Sequence, residues 1–174
     1  MENQQPVMTH VQKGLIISAV LIVISIGLYV GGLNTQTWAQ WIGNIIFFAG
    51  IVWACIYYGK QKDNYVTFGN LFAHGFKVTA VVTVIMLVFT VIFVLVFPDI
   101  KEKSMEIARQ RMEERGNLTD DQIETGLNMT QKFFMVFLIG GILFGYAIFG
   151  AIASLIGAAV TKKNKTNPLD QLSI

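Results

Sequence analysis

The side chains in this chain with a capacity for chemistry are few: a carboxylate pair, Asp120 and Asp121, two histidines, His10 and His74, one cysteine, Cys55, and isolated polar groups such as Asn44 and Tyr146. Adjacent carboxylates support general acid–base catalysis when their environments differ and a cleft admits substrate. The residues around Asp120 describe something else. Thr119 and Gln122 have the spacing of a capping box, Leu118 and Ile123 that of a hydrophobic staple, and both aspartates fall where a helix dipole favours negative charge. The two histidines are isolated, so a solvated or capping role is expected for each rather than metal ligation. Cys55 is single and sits within an apolar run, so it forms no intramolecular disulfide and reads as a small buried apolar residue. Neither a Gly-x-Ser-x-Gly, a serine–lysine nor a zinc pattern is present. No catalytic residue, metal or cofactor is therefore expected, and no enzyme.

The elements that would carry these groups are dominated by apolar runs. Residues 78–97 hold twenty positions without an acid, a base or a histidine. As a helix they extend roughly 30 Å, the thickness of a bilayer core. Similar runs at about 14–33, 39–58 and 133–160 predict an all-α membrane protein with four transmembrane helices. With 53% hydrophobic and 14% charged residues the composition is too apolar for an ordinary soluble domain, and a net charge of +2 gives no reason to expect nucleic acid. One membrane domain over residues 1–174 is expected, with the lipid bilayer as its first partner.

The first run follows a polar start whose charged side chains are Glu2 and Lys13, and it is too long for a signal-peptide core, so it reads as a retained anchor. Trp38, Trp41, Tyr57 and Tyr58 mark both ends of the second. The third is rich in β-branched residues that would favour a strand in water, but a lone strand in hydrocarbon leaves its backbone unpaired, so a helix is expected up to Pro98. In residues 64–77, Tyr65, Phe68, Phe72 and Phe76 share one helical face, leaving His74 and Lys77 on the remaining surface. That spacing predicts an interfacial segment, either a separate helix or the lead-in to the third span.

Residues 99–132 should form a water-exposed amphipathic helical hairpin between the third and fourth spans, broken at Gly116. Its first helix aligns Met105, Ala108 and Met112 on one stripe, and with Arg109, Arg111 and Arg115 this is the expected surface for a protein partner. Inside the spans no charge is expected. Ser18, Ser25, Gln40, Thr79, Thr83, Thr90, Tyr146 and Ser154 should bond their own backbone or a neighbouring helix, and Asn44 should form an interhelical hydrogen bond. Small residues one turn apart, Gly27 with Gly31, Gly141 with Gly145, and Ala153 with Gly157, predict close helix packing, within one bundle or in a homodimer.

The aromatic–glycine stretch from Tyr65 to Lys77, the charged segments Met112 to Gly116 and Asp121 to Glu124, and the small-residue ending Gly150 to Ala159 together resemble the bacterial four-helix membrane family catalogued as domain of unknown function four-one-nine-nine. The resemblance spans nearly the whole chain and implies a small integral inner-membrane protein without family active-site residues. Seven Lys or Arg flank the spans on the side of the termini against six on the other, which favours cytoplasmic termini. The expected function is a non-catalytic scaffold or accessory subunit, with an oligomeric small-solute carrier or channel as the alternative.

Overall fold

A computed structural model describes residues 7–33 and 36–164, with the side chains of Thr37 and Gln40 outside the described set. The expected roles of Glu2, Gln40 and Lys165 therefore fall outside it. Among the described residues the chain is all-helical, with six helices and no strand: α1 His10–Val30, α2 Thr37–Gln61, α3 Phe68–Val96, α4 Asp99–Glu114, α5 Asp120–Lys132 and α6 Phe134–Val160. Four of them, α1, α2, α3 and α6, are long and apolar enough to cross a membrane. Two compact units are present, one from the described residues up to Met86 and from Gly145 on, the other from Leu87–Phe144. Helices α3 and α6 contribute to both.

Helix starts follow local chemistry. The capping box at Thr119 is present, with the Gln122 amide donating to Thr119 Oγ1 at 3.4 Å and the Thr119 amide donating to Gln122 Oε1 at 3.0 Å. A second box opens α1, where Thr9 and Gln12 make the same exchange, so the helix begins before the apolar run and takes Lys13 into its first turn. Gly116 follows α4 at φ +67°, a left-handed backbone that a residue with a Cβ resists. Thr119→Ala should cost about 1 kcal/mol and speed hydrogen exchange at the Gln122 amide, whereas equal exchange in both proteins would show that the box contributes nothing.

Residues 68–77 are not a separate interfacial helix; they are the first turns of an unbroken α3. The buried face is not the one that Tyr65, Phe68 and Phe76 occupy. Leu71, His74, Gly75, Val78, Thr79, Val82 and Thr83 point inward, while Tyr65, Phe68 and Phe76 are each more than 40% exposed. Where lipid replaces water, bulky rings lose nothing by facing outward, and helices approach closely only where small side chains meet.

That rule organises the first unit. A Cβ added at Gly14 would strike Val81 of α3, one at Gly50 would meet Ile17 of α1, and one at Gly75 would lie 2.6 Å from Cys55 Sγ and 2.7 Å from Ser154 Oγ. At Gly150 it would collide with Thr79, and at Gly157 it would come within 2.9 Å of Cys55 Cβ and 3.2 Å of Val52 Cα. Thus α1 meets α2 and α3, α6 meets α2 and α3, and α2 meets α3 across Gly75. Val23, Ile45, Val84 and Ile148 stand exposed on the outside of this bundle. Ser18, Thr79 and Ser154 are buried with hydroxyls that have no hydrogen-bond partner among the described residues, contrary to the expected pairing, whereas Thr83 donates to its own helix at Thr79 O.

The packing residues expected from spacing fare unequally. Ala153 and Gly157 are buried in the α6 stripe. Beyond their own helix backbone and chain neighbours, no described atom lies within 4 Å of a Cβ built at Gly27, Gly141 or Gly145, and Gly31 meets only Gly27 O and Leu33 of its own neighbourhood. Asn44 is exposed, without a hydrogen-bond partner among the described residues. A small residue every fourth position defines a face, but whether a neighbour lies on that face is a tertiary matter.

In the second unit α4 and α5 pack together, with Met112 against Gly126 and Ile123 buried. The expected ion pairs are present, Asp99 with Lys103 at 3.2 Å and Arg109 with Glu113 at 3.9 Å. Met105, Ala108 and Met112 are half-buried, and Arg109, Arg111 and Arg115 are exposed. Asp120 and Asp121 stand exposed in the first turn of α5.

Candidate functional site

The groups that the structure gathers are ones the sequence leaves scattered. Lys13 enters the first unit from the start of α1 and is fully buried. Its ammonium donates to Gln61 Oε1, in the last turn of α2, at 3.0 Å. It also lies 3.1 Å from His74 Nε2, on the inward face of α3. The Tyr57 and Tyr58 rings complete the shell, with centroids 4.9 Å and 5.6 Å from Nζ, where the ring quadrupole attracts a cation. Among the described residues no carboxylate takes part.

A buried ammonium without a counter-ion persists only when several weaker groups share its desolvation cost. Here an amide oxygen, an imidazole nitrogen and two ring faces do so. His74 must present Nε2 as an acceptor for an ammonium at Lys13, so the pair accommodates one added proton at a time. The imidazole is held in place by Tyr58, stacked on it at 4.1 Å and 9° between planes, and by His10, edge-on at 6.4 Å. The two histidines expected to be isolated are therefore neighbours.

Position in the fold explains the convergence. The first turn of α1, the last turn of α2 and the first turns of α3 meet at the same end of the unit, and the segment after α6 closes it. Asn164 donates from its amide to Asn64 O at 2.8 Å and from Nδ2 to Asp63 O at 2.9 Å. Both acceptors lie in a turn with positive φ at Asp63 and Asn64, residue types that tolerate that conformation best after glycine. Gly59, buried beside Thr161 and Leu71, lets the ends of α2 and α6 approach.

Above the buried lysine opens a cleft of ≈ 400 Å³, lined among others by His10, Tyr58, Lys62, Asn70, His74 and Lys77. Charge in the first unit is lopsided. Its described residues include Lys13, Lys60, Lys62, Lys77, Lys162 and Lys163 against one acid, Asp63. The second unit reverses the sign, with eight carboxylates and six cations.

Sequence reasoning had one usable signal for this site. Thr9 and Gln12 cap a helix whose first turn includes Lys13, which places a lysine beside Gly14 on the face that continues into the buried Ile17 and Ser18. Gln61 and His74 carried no such mark. Cys55, buried deeper, donates weakly to Leu71 O at 3.6 Å. Tyr146 packs edge-on against Phe47 at 4.8 Å. Among the described residues no three of His, Cys, Asp and Glu come together as a metal site.

No curated protein and no solved structure matches the chain. A family model does, over residues 12–163, a range that takes in Lys13, Tyr57, Tyr58, Gln61 and His74 but not His10. The chain belongs to that family, described as protein of unknown function DUF4199.

Proposed function

We propose that this DUF4199 protein is a non-catalytic accessory subunit of a bacterial inner membrane, with cytoplasmic termini and the α4–α5 amphipathic hairpin on the opposite side. The observation that carries this reading is the exposed cationic face of α4, and its orientation rests on the count of Lys and Arg flanking the spans. Lys13, Lys60, Lys62, Lys77, Lys162, Lys163 and Lys165 on the side of the termini, against six Lys or Arg in residues 99–132, support a cytoplasmic position for that side by the positive-inside rule, which counts cations and not net charge. With the termini inside, a third crossing by α3 would bring the chain of α4 and α5 to the opposite side. There Arg109, Arg111 and Arg115 are exposed, while Met112 is occupied by the hairpin's own packing, so a partner would be recognised through the arginines.

The test is crosslinking in native membranes followed by affinity purification. The unaltered chain should yield a heterologous partner crosslinked through α4, and reversing the charge at Arg109, Arg111 and Arg115 should abolish it at unchanged expression. Self-crosslinks alone, through faces such as Gly141 and Gly145, would replace this reading with a homodimer.

The Lys13–His74 pair favours one second reading, a small-solute carrier or channel. Ionisable side chains on spanning helices are functional-site candidates, and substrate or ion paths are among the roles they mark. In that case Lys13→Met should abolish flux in proteoliposomes while the arginine reversals leave it intact.

A further inference from the structure

We propose that the cleft over Lys13 is a binding site for a phosphate anion, presented at the headgroup level of the membrane. The inference does not depend on the accessory-subunit reading. Its lining is cationic and rich in donors: Lys62 follows the end of α2, Lys77 and Asn70 come from α3, and His10 and His74 face each other across the start of α1. No carboxylate is among the described residues that line it. A site with this lining repels cations and leaves a dianion or phosphodiester many oxygens' worth of donors.

Behind the lining Lys13 adds a second layer of positive charge. Its ammonium is occupied by Gln61 and His74, so it acts on a ligand through its field rather than by contact. An anion in the cleft would offset the burial of that charge, which nothing acidic in the described unit does. The volume of ≈ 400 Å³ holds a phosphate with part of a headgroup.

Depth in the bilayer favours the lipid as the source. His10 is the first residue of one candidate span, Lys62 directly follows the last residue of another, and Asn70 to Lys77 lie in the opening turns of a third. These are headgroup positions, where basic pockets between spanning helices recognise anionic lipids. Outward-facing Phe68 and Phe76 on the same turns of α3 offer apolar surface for acyl chains.

The experiment is native mass spectrometry of the full-length protein in detergent, titrated with phosphatidylglycerol or with phosphatidylcholine of the same chains, and separately with inorganic phosphate. Phosphatidylglycerol should be retained in preference. Lys62→Gln with Lys77→Gln should weaken it about thirtyfold, roughly fivefold for each lysine removed near a headgroup. Lys60→Gln with Lys162→Gln is the control, because both are exposed lysines at the same end that do not line the cleft. Matched thermal unfolding of the two double variants checks that both fold.

Displacement of phosphatidylglycerol by inorganic phosphate, with the same dependence on Lys62 and Lys77, would uphold the phosphate site and make the free anion its ligand. Equal retention of the two lipids, or equal weakening by the two double variants, would overturn the proposal. Either result would leave the α4 crosslinking experiment unaffected.

Discussion

Gly157→Leu is expected to lower the stability of the protein by about 3 kcal/mol or more in reversible detergent unfolding, while Gly141→Leu leaves it unchanged. The difference lies in what a side chain would meet. At position 157 even a Cβ falls within 2.9 Å of Cys55 Cβ and 3.2 Å of Val52 Cα, atoms fixed to the α2 backbone that no rotamer change can move. Overpacked cores typically lose about 1–3 kcal/mol for added methylenes, and the loss grows where the neighbour cannot yield. At position 141 no described atom beyond its own helix backbone and chain neighbours lies within 4 Å. Gly157→Ala should fall between the two. Equal losses at 141 and 157 would mean that small-residue spacing, and not the α2–α6 contact, governs packing.

The second large effect is a coupling between Lys13 and His74. His74→Phe keeps a ring stacked on Tyr58 but removes the nitrogen 3.1 Å from the Lys13 ammonium. It should cost about 1.5–3 kcal/mol, the range for a hydrogen bond to a charged group. Lys13→Met removes the charge itself and fills similar volume, and replacing a buried charge by an apolar side chain is often close to neutral. The double variant should therefore be more stable than the sum of the single effects predicts, with a coupling energy of about 1 kcal/mol or more. Gln61→Leu should couple to Lys13→Met in the same sense through the 3.0 Å bond to Oε1. Strict additivity in both cycles would remove the cluster as an energetic unit.

The sequence marks Gly157 and Gly141 alike and gives no sign that Lys13 and His74 meet, and the reason is physical. In water, an apolar face points inward because exposure costs about 25 cal/mol for each Å² of apolar surface. In lipid that cost vanishes, so the same periodicity locates a face without saying which way it points. The aromatics of residues 65–76 illustrate this: Phe68 and Phe76 lie one above the other on α3 and face out, while Phe72 between them is half-buried against Val66, Leu71 and Ala158. His74 falls on the other side with Gly75 and Val78, and so arrives beside Lys13. The glycine pairs show the same ambiguity, since Gly141 and Gly145 share a face that meets nothing described, while Gly75 and Gly150 are each seated on a partner helix.

What the amino-acid order determined by itself is local. Four runs are long and apolar enough to cross a bilayer, where hydrocarbon would leave a backbone no option but to close its own hydrogen bonds, so run length is enough to expect helices there. The breaks at Pro98 and Gly116 and the box at Thr119 act within a few residues, and they stand where the sequence puts them. Tertiary structure alone decided which glycines are contacts, which face of α3 is inside, and that Lys13, Gln61 and His74 share one buried proton donor and its acceptors. Those residues stand 48 and 61 positions from Lys13, and their meeting depends on how four helices align in a medium that gives apolar side chains no inward direction.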